Sequence, residues 1–233
     1  MPGLVDIDEA KLVETTEMVT AAAGSAELVM SSCIDVSDRD EVFGLAEAVF
    51  ERFGEVGFLL SNAGSGIGSP SCLREFDKWS RSLDVNLMSA LHVFQAFIPR
   101  MVEQRTRCTI VTTGSKQGIT TPPGNLAYNV AKAGLKVITE GLQHELRAAA
   151  EGGEILIEAH LFVPGFVNTD LAINYFRHLR GEAFDEAKDV PWSEAKPSKG
   201  GWMPDETINY VRVHVHEHVH VHVHACTHLL DAR

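Results

Sequence analysis

The stretch TTGSKQGITTPPGNLAYNVAK, residues 112–132, decides how the rest of this sequence is interpreted. Its first residues end a strand pattern, so Ser115 follows at the carboxyl edge, where open α/β sheets bind ligands. Residues 125–149 have the pattern of a helix, on which Tyr128 and Lys132 lie one turn apart on the same face. A hydroxyl, a phenol and an ammonium are therefore expected at one edge of a sheet.

The composition is that of a soluble globular protein, because 45% of the 233 residues are apolar and 22% are charged. The net charge of −12 argues against binding to nucleic acid or to an anionic membrane surface. No apolar run approaches the roughly 20 residues of a membrane-spanning helix, and the first residues lack the pattern of a secretory signal. Four scattered cysteines without a C-x-x-C pair favour reduced thiols in a cytoplasmic protein: Cys33, Cys72, Cys108 and Cys226.

Helix and strand patterns alternate along the sequence, which predicts an α/β protein with a mostly parallel sheet covered by helices. Four segments have strand patterns, and the second is expected to be buried: AELVMSSCIDV (26–36), GFLLS (57–61), CTIVTTG (108–114) and ILIEAHLFVPG (155–165). Residues 168–201 are polar and rich in turn formers, as in a loop that covers a substrate.

Helix patterns fill the intervals between these strands. The first covers residues 8–23 and stops at Gly24, and the second follows an S-x-x-D capping pattern formed by Ser37 and Asp40. A longer helical region runs to about residue 104. We expect an interruption near its middle, because a single helix of that length is unusual.

The segment VRVHVHEHVHVHVHACTH near the C-terminus alternates valine and histidine, with Arg212 and Glu217 as exceptions. As a strand it would have one histidine face, and histidines at i and i+2 are candidate metal ligands. Valine and histidine codons together form alternating purine–pyrimidine repeats, so we favour translated repeat DNA and predict no metal site. Residues 211–233 are accordingly set apart from a catalytic domain of residues 1–210.

Several motifs occur in a fixed order around Tyr128 and Lys132. They are Asn62-Ala63-Gly64 after a strand, Asn86 within a helical region, Ser115 thirteen residues before Tyr128, and the later P-G-x-V-x-T segment, Pro164, Gly165, Val167 and Thr169. Together they resemble the short-chain dehydrogenase/reductase family, from about residue 5 to about residue 210. The resemblance implies a Rossmann-like doubly wound parallel sheet and hydride transfer between a nicotinamide cofactor and an alcohol or carbonyl.

The chemistry of that reaction explains the residue types. Oxidation of an alcohol needs a base for the hydroxyl proton, and a free tyrosine, with a pKa of about 10, is poorly matched to that task near neutrality. A cation one turn away, Lys132, is expected to lower the pKa of Tyr128. Ser115 would hydrogen-bond the substrate oxygen. By resemblance, Lys132 also holds the nicotinamide ribose, and Asn86 holds a water that relays protons to Lys132.

The cofactor contacts follow from the same resemblance. Asp35, with Val36 beside it, matches the position that contacts the adenine. The Asn62-Ala63-Gly64 segment matches the lining of the adenosine ribose, and the segment from Pro164 to Thr169 matches the surroundings of the nicotinamide. Asp6 resembles the acid that ends the second strand and accepts from the ribose 2′-hydroxyl, which favours NAD over NADP. A helix N-cap is an equally weighted alternative for Asp6.

The resemblance also implies missing parts. A family member begins with a strand, a T-G-x-x-x-G-x-G turn and a helix, roughly thirty residues of a βαβ unit, whereas this sequence opens at the match to the second strand. We therefore expect a member truncated at the N-terminus and altered at the C-terminus, without the glycine-rich loop that grips the pyrophosphate. Lower stability, or a sheet whose neighbours of the gap pair with each other, should follow.

Three functional hypotheses remain. The first is an NAD-dependent oxidoreductase that acts on a small-molecule alcohol or ketone of unspecified identity, as a homo-oligomer built through residues 75–104 and 125–149. The second is an inactive or weakly active fragment of such an enzyme, kept as a binding or regulatory relic or arising from a gene-model artefact. The third is a metal-binding protein that uses the histidine-rich segment.

Overall fold

A computed structural model describes residues 1–150, 153–154, 156–164, 177 and 181–185. Its strands are β1 (Gly3–Asp6), β2 (Met30–Cys33), β3 (Phe58–Ser61), β4 (Cys108–Thr113) and β5 (Ile157–Phe162). Its helices are α1 (Glu9–Ala23), α2 (Arg39–Phe53), α3 (Phe76–Leu83), α4 (Ser89–Glu103), α5 (Gln117–Thr120) and α6 (Leu126–Ala149), with short 3₁₀ turns at Ala26–Leu28 and Gly181–Ala183. The alternation of strands and helices confirms the α/β class.

The strands form two parallel sheets. In one, β1 pairs with β2, with Gly3 opposite Met30; in the other, the order is β3-β4-β5, with Phe58 opposite Thr109 and Cys108 opposite Ile157. Within the described residues β1 and β3 do not pair with each other. The predicted pairing across a gap is therefore wrong, and one edge of each of these strands remains open.

The strand β3 is half exposed, so the prediction that it is buried is wrong. Phe58 is 61% exposed and Leu60 is 49% exposed, whereas Leu59 packs against the core. Successive side chains in a strand point to opposite faces. In the part of the chain that the structure describes, one face of β3 is covered and the other is open.

The main core lies between α2, α4 and one face of β4 and β5. Phe50 of α2 and Phe97 of α4 are both buried, and their ring centroids are 5.9 Å apart. The largest buried members also include Val42, Phe94, Ile98, Met101, Ile110 and Ile157. Burying a side chain of this size contributes about 1.5–3 kcal/mol, so this cluster holds the second sheet in place beneath the helices.

Acidic residues cap the first two helices. Asp8 precedes α1 and accepts from the Lys11 amide at 3.2 Å, and α1 ends at Gly24, whose φ of 81° suits glycine, as predicted. Asp38 precedes α2 and accepts from the amides of Asp40 and Glu41. The predicted capping pattern of Ser37 and Asp40 is wrong, because the N-cap is Asp38, one residue after Ser37.

The long helical region is interrupted, as predicted. A π-helical turn over Asp84–Met88 separates α3 from α4, and Asn86 lies within it, only 1% exposed. Its Nδ2 donates to the Ser82 carbonyl at 3.0 Å. Such turns widen a helix locally and are frequent at functional sites, and here the turn contains a candidate site residue.

Candidate active site

Ser115, Tyr128 and Lys132 meet beyond the carboxyl end of β4. After β4 the chain keeps contact with β5, because the Gly114 amide donates to Phe162 O at 2.7 Å. Ser115 follows, and its Oγ accepts from the Gln117 amide at 3.2 Å, where the chain turns into α5. Helix α6 then supplies Tyr128 and Lys132, which are 8% and 4% exposed. The structure therefore brings these three predicted residues together at the predicted edge.

The phenol of Tyr128 is mostly protonated near neutral pH. Burial raises its pKa above the usual value of 10.0, and hydrogen bonding to the Ser115 side chain lowers that pKa by a smaller amount. The expectation that Lys132 lowers the pKa of Tyr128 is wrong for this structure. Desolvation disfavours the phenolate, and it outweighs the hydrogen bond.

The ammonium of Lys132 is held beneath the tyrosine ring. Its Nζ donates to the Thr113 carbonyl at 2.9 Å and lies 5.6 Å from the centroid of the Tyr128 ring. Burial lowers the pKa of Lys132 from 10.5 to about 8. Lys132 therefore gains and loses a proton close to physiological pH, which an exposed lysine does not do.

Asn86 and Lys132 converge on Gly64. Asn86 Oδ1 accepts from the Ser65 amide at 2.9 Å. A Cβ built on Gly64 would lie 3.1 Å from that same oxygen and 3.6 Å from Lys132 Nζ. Because Gly64 has no side chain, the Asn86 amide and the Lys132 ammonium can both lie close to the loop after β3. The predicted site residue Asn86 therefore belongs to this cluster.

The loop after β3 is also tied to the end of β4. Asn62 Oδ1 accepts from Thr113 Oγ1 at 2.9 Å, and the neighbouring Ala63 is exposed. Thr113 therefore contacts two predicted site residues, Asn62 through its hydroxyl and Lys132 through its carbonyl. The sequence reasoning did not single out Thr113, although its place at the end of a strand two residues before Ser115 is a usable signal.

The predicted adenosine contacts are divided between the sheets, because Asp6 and Asp35 lie beside the β1-β2 sheet and the Asn62-Ala63-Gly64 segment follows β3. Asp6 is the last residue of β1, is exposed, and accepts from the Asp8 amide at 2.9 Å. The alternative role of Asp6 as the N-cap of α1 is wrong, because Asp8 is that cap. Asp6 therefore ends a parallel strand at the same edge as expected for a ribose contact.

Asp35 and Val36 follow β2. Asp35 accepts from both the Ser37 amide, at 2.9 Å, and the Ser37 hydroxyl, at 2.6 Å, and Arg81 lies 3.4 Å from its other oxygen. Hydrogen bonding to the Ser37 side chain is the main reason that the pKa of Asp35 lies below its usual value. The carbonyl of Val36 lies 3.2 Å from His92 Nδ1. A ligand at Asp35 would share the carboxylate with Ser37.

Pro164 is the described part of the predicted nicotinamide segment. It follows β5, and its carbonyl accepts from the Lys116 amide at 3.4 Å, next to Ser115. The remaining members of that segment, Gly165, Val167 and Thr169, lie outside the described residues. The same holds for most of the expected substrate-covering loop, for Cys226 and for the valine–histidine segment.

Gly118 brings α5 against α6, a packing contact that sequence reasoning missed. A Cβ on Gly118 would lie 2.5 Å from the main-chain carbon of Lys132 and 2.6 Å from its oxygen. The two backbones therefore touch, which fixes the turn that follows Ser115. A glycine three residues after Ser115, inside a helical turn, is the sequence signal for such a contact.

The described residues carry neither a metal-ligand cluster nor a membrane-spanning helix. No group of three or more His, Cys, Asp or Glu side chains there is arranged to hold a metal ion. None of the described helices combines the length and apolar content needed to cross a membrane. Cys33 and Cys72 are exposed free thiols, and Cys108 is a buried one.

With this geometry in place, comparison with known proteins identifies the family. Residues 3–180 match the model of the short chain dehydrogenase family. The chain is 32% identical over 170 residues to a CLA biosynthesis dehydrogenase/reductase of Lactiplantibacillus plantarum, covering 72% of this chain and 56% of that protein. It is 26% identical over 209 residues to a 3beta-hydroxysteroid dehydrogenase of Eggerthella lenta, covering 88% of this chain and 76% of that one. The chain belongs to the short-chain dehydrogenase/reductase family.

Solved structures agree with this assignment. A short-chain dehydrogenase/reductase from Burkholderia phymatum in complex with NAD superimposes with a TM-score of 0.67 at 31% identity, over 84% of this chain and 64% of that one. An NAD⁺-bound xylitol dehydrogenase has a TM-score of 0.67 at 25% identity, over 79% and 67% of the two chains. The predicted Rossmann-like fold class is confirmed. The chain spans little more than half the length of its Lactiplantibacillus relative.

Proposed function

We propose that this protein is an oxidoreductase that transfers a hydride between NAD and an alcohol or carbonyl substrate, with Tyr128 as the acid and base. One observation supports it most: a buried phenol lies against a serine hydroxyl and a buried lysine at the carboxyl edge of a parallel sheet. Perturbed titratable groups clustered in this way are typical of catalytic sites.

The protonated phenol suits the reductive direction. As the carbonyl gains a hydride, its oxygen develops negative charge, and Tyr128 donates its proton to that oxygen. Ser115 donates a hydrogen bond to the same oxygen and stabilises the charge before the proton arrives. Lys132, whose pKa is about 8 and whose Nζ lies 5.6 Å from the centroid of the Tyr128 ring, would return a proton to the phenol. In the oxidative direction the same groups act in reverse order.

The residues present fit NAD at its two ends. Asp6 offers an exposed carboxylate for the ribose 2′-hydroxyl at the end of β1, and a 2′-phosphate would be repelled there. When bound, the nicotinamide supplies the hydride acceptor or donor. Lys132 Nζ, with one main-chain acceptor at Thr113, keeps other N–H groups for a ribose. The full set proposed to hold the cofactor is Asp6, Asp35, Val36, Asn62, Ala63, Gly64, Tyr128, Lys132, Pro164, Gly165, Val167 and Thr169.

A small-molecule alcohol or ketone is the proposed substrate, and residues 1–210 form the proposed catalytic domain. The similar proteins include a CLA biosynthesis dehydrogenase/reductase, a 3beta-hydroxysteroid dehydrogenase and a xylitol dehydrogenase, which supports the reaction class. Nucleic acid is an unsuitable partner for a chain of net charge −12. Free thiols at Cys33, Cys72 and Cys108 support a cytoplasmic location.

A homo-oligomer is the proposed assembly. The groove between α4 and α6 is lined mainly by apolar side chains, with Gln95 and Glu145 as its polar members; the apolar ones are Leu91, Phe94, Ile98, Pro99, Ile138 and Leu142. Val137, on α6, is 65% exposed. Exposed apolar surface is typical of protein–protein interfaces, and it supports the proposed contact between copies of the chain through these two helices.

A weakly active relative is the second candidate. The described strands form two separate sheets, because β1 and β3 do not pair with each other. A cofactor that contacts both sheets would therefore be held less firmly, while the catalytic cluster beside β4 is retained.

Cofactor titration separates the two candidates. The purified chain is titrated with NADH and with NADPH, and both cofactor fluorescence and thermal stability are followed. Micromolar binding of NADH with weaker binding of NADPH supports the oxidoreductase, and a screen of alcohols and ketones then follows. No binding of either cofactor contradicts it and favours the relic.

A further inference from the structure

Asn125, at the start of α6, makes side-chain contacts in two directions. Its Oδ1 accepts from the Tyr128 amide at 3.4 Å, which caps α6, and its Nδ2 donates to the Gly66 carbonyl at 3.1 Å. The residue is 4% exposed. One buried amide therefore joins the first turn of the helix that carries Tyr128 to the loop that follows β3.

Two further contacts strengthen this junction. The Ala127 amide donates to the Ser69 carbonyl at 3.1 Å. Gly68 lies so close that a Cβ built there would be 2.0 Å from Asn125 Oδ1 and 2.9 Å from its Cγ. The absence of a side chain at Gly68 therefore allows the Asn125 amide to reach the loop.

The other end of the same loop contacts the rest of the candidate site. The Ser65 amide donates to Asn86 Oδ1 at 2.9 Å, and Gly64 lies beside Lys132 Nζ. Residues 64–69, called here the β3 loop, thus run from the Asn86–Lys132 cluster to the start of α6. A shift at the Asn125 end changes where the first turn of α6 lies relative to Ser115.

We propose that Asn125 is a positioning residue that locks the first turn of α6 to the β3 loop and so sets the Tyr128 hydroxyl against Ser115. The inference rests on the proposed function for its activity readout. An asparagine suits the role because its amide both accepts and donates. Serine and aspartate cap helices equally well, but neither offers an amide N–H to the Gly66 carbonyl.

Two variants disrupt the contact between Asn125 and the β3 loop, one on each partner. Asn125→Asp keeps the shape and the helix cap, removes the donor, and sets a carboxylate against the Gly66 carbonyl. Gly68→Ala leaves Asn125 intact and forces its side chain away. Lys136→Gln is the matched control, because Lys136 lies on the same helix and pairs with Glu140 at the surface.

The expected result is a decrease in kcat on the order of tenfold to a hundredfold in both variants, with KM for NADH unchanged, because displacement of a reacting group by about 1 Å has effects of this size. Lys136→Gln should retain the wild-type kcat. A second readout needs no turnover: ultraviolet titration of Tyr128, obtained by difference from Tyr128→Phe in each background. Loss of alignment with Ser115 removes a contact that lowers the pKa of Tyr128, so that pKa should rise in both variants.

An unchanged Tyr128 titration in both variants overturns the proposal, whatever happens to kcat. A raised pKa without any change in kcat also overturns it, provided that the wild type turns over. If the wild type binds no cofactor, the proposed function fails, and the titration alone decides whether Asn125 positions the phenol. If Asn125→Asp does not fold by circular dichroism, Gly68→Ala decides by the same criteria.

Discussion

Lys132 donates a hydrogen bond from Nζ to the carbonyl of Thr113 at 2.9 Å, so the last residue of β4 anchors the buried ammonium of α6. The anchor draws the charge toward the sheet and leaves it 5.6 Å from the centre of the Tyr128 ring. The two titratable groups are therefore close, but both are shifted toward their neutral forms by burial.

Replacement of Tyr128 by phenylalanine should sharply reduce turnover. The variant keeps the ring against Lys132 and loses the proton donor, so kcat should fall by roughly 10²–10⁴, the usual contribution of general acid–base catalysis. Steady-state kinetics with the best substrate of the screen measures this, and NADH titration should give an unchanged Kd. Wild-type turnover by the variant would refute Tyr128 as the acid and base.

Replacement of Lys132 by methionine should change the pH dependence of stability. The folded-state pKa of Lys132 is lowered to about 8, so between that pH and the unfolded pKa near 10.5 the unfolded chain binds more protons than the folded chain. Stability from this group therefore rises with pH across that window. From pH 7 to pH 9.5, the free energy of unfolding measured with urea should rise by about 1–3 kcal/mol more in wild type than in Lys132→Met.

The surface variant Lys136→Gln should follow wild type in this experiment, since Lys136 is exposed. Equal pH dependence in Lys132→Met and in wild type would mean that Lys132 does not titrate in this range. Lys132→Met should also lose turnover, whereas Lys136→Gln should keep it.

Replacement of Asp6 by asparagine should relax the preference for NADH. The carboxylate at the end of β1 is the proposed acceptor for the ribose 2′-hydroxyl, and its charge would repel a 2′-phosphate. The variant should bind NADH more weakly and NADPH more tightly, on the order of tenfold in the ratio of the two Kd values, which is about 1.4 kcal/mol.

Asp8→Asn is the matched control for Asp6→Asn. It removes the same charge two residues away, and asparagine still caps α1 at Lys11. Its ratio of Kd values should equal that of wild type. A similar shift in both variants would indicate a general effect of charge, and Asp6 would lose its assigned role.

Replacement of Gly64 by alanine should disturb the meeting of Asn86 and Lys132. The new methyl group would lie 3.1 Å from Asn86 Oδ1 and 3.6 Å from Lys132 Nζ, so the amide must move by a few tenths of an ångström. We expect kcat to fall by roughly tenfold, with little loss of thermal stability. Gly44→Ala, in the open on α2, should instead raise stability by about 0.5–1 kcal/mol and leave kcat unchanged.

The positions of Ser115, Tyr128 and Lys132 were predictable because each depends on local rules. A strand end fixes the first, and helical spacing fixes the other two. The interruption at Asp84–Met88 was predictable from length alone, but its π geometry was not, since nothing in D-V-N-L-M distinguishes a wide turn from a kink. The cap of α2 was missed because two adjacent residues, Ser37 and Asp38, both suit it.

The electrostatics could not be predicted from spacing. A tyrosine and a lysine one turn apart suggest a lowered phenol pKa, yet the sign depends on how deeply the pair is buried, and depth is a property of the whole fold. The open face of β3 was missed for a similar reason. FLLS is apolar on both faces, and the sequence of a strand does not state which of its two faces receives a helix.

The π turn at Asp84–Met88 lets one continuous helical stretch direct a side chain to the candidate site and others to the core. An α-helix turns by roughly 100° per residue, so the extra residue of a π turn rotates everything after it relative to everything before it. Asn86 can face Gly64 while Phe94, Phe97 and Met101 still face the core. Deletion of one residue there would restore a regular helix. Either Asn86 would then turn away from Gly64 or the apolar side chains of α4 would turn away from the core, so we expect this turn to tolerate substitution better than a change in length.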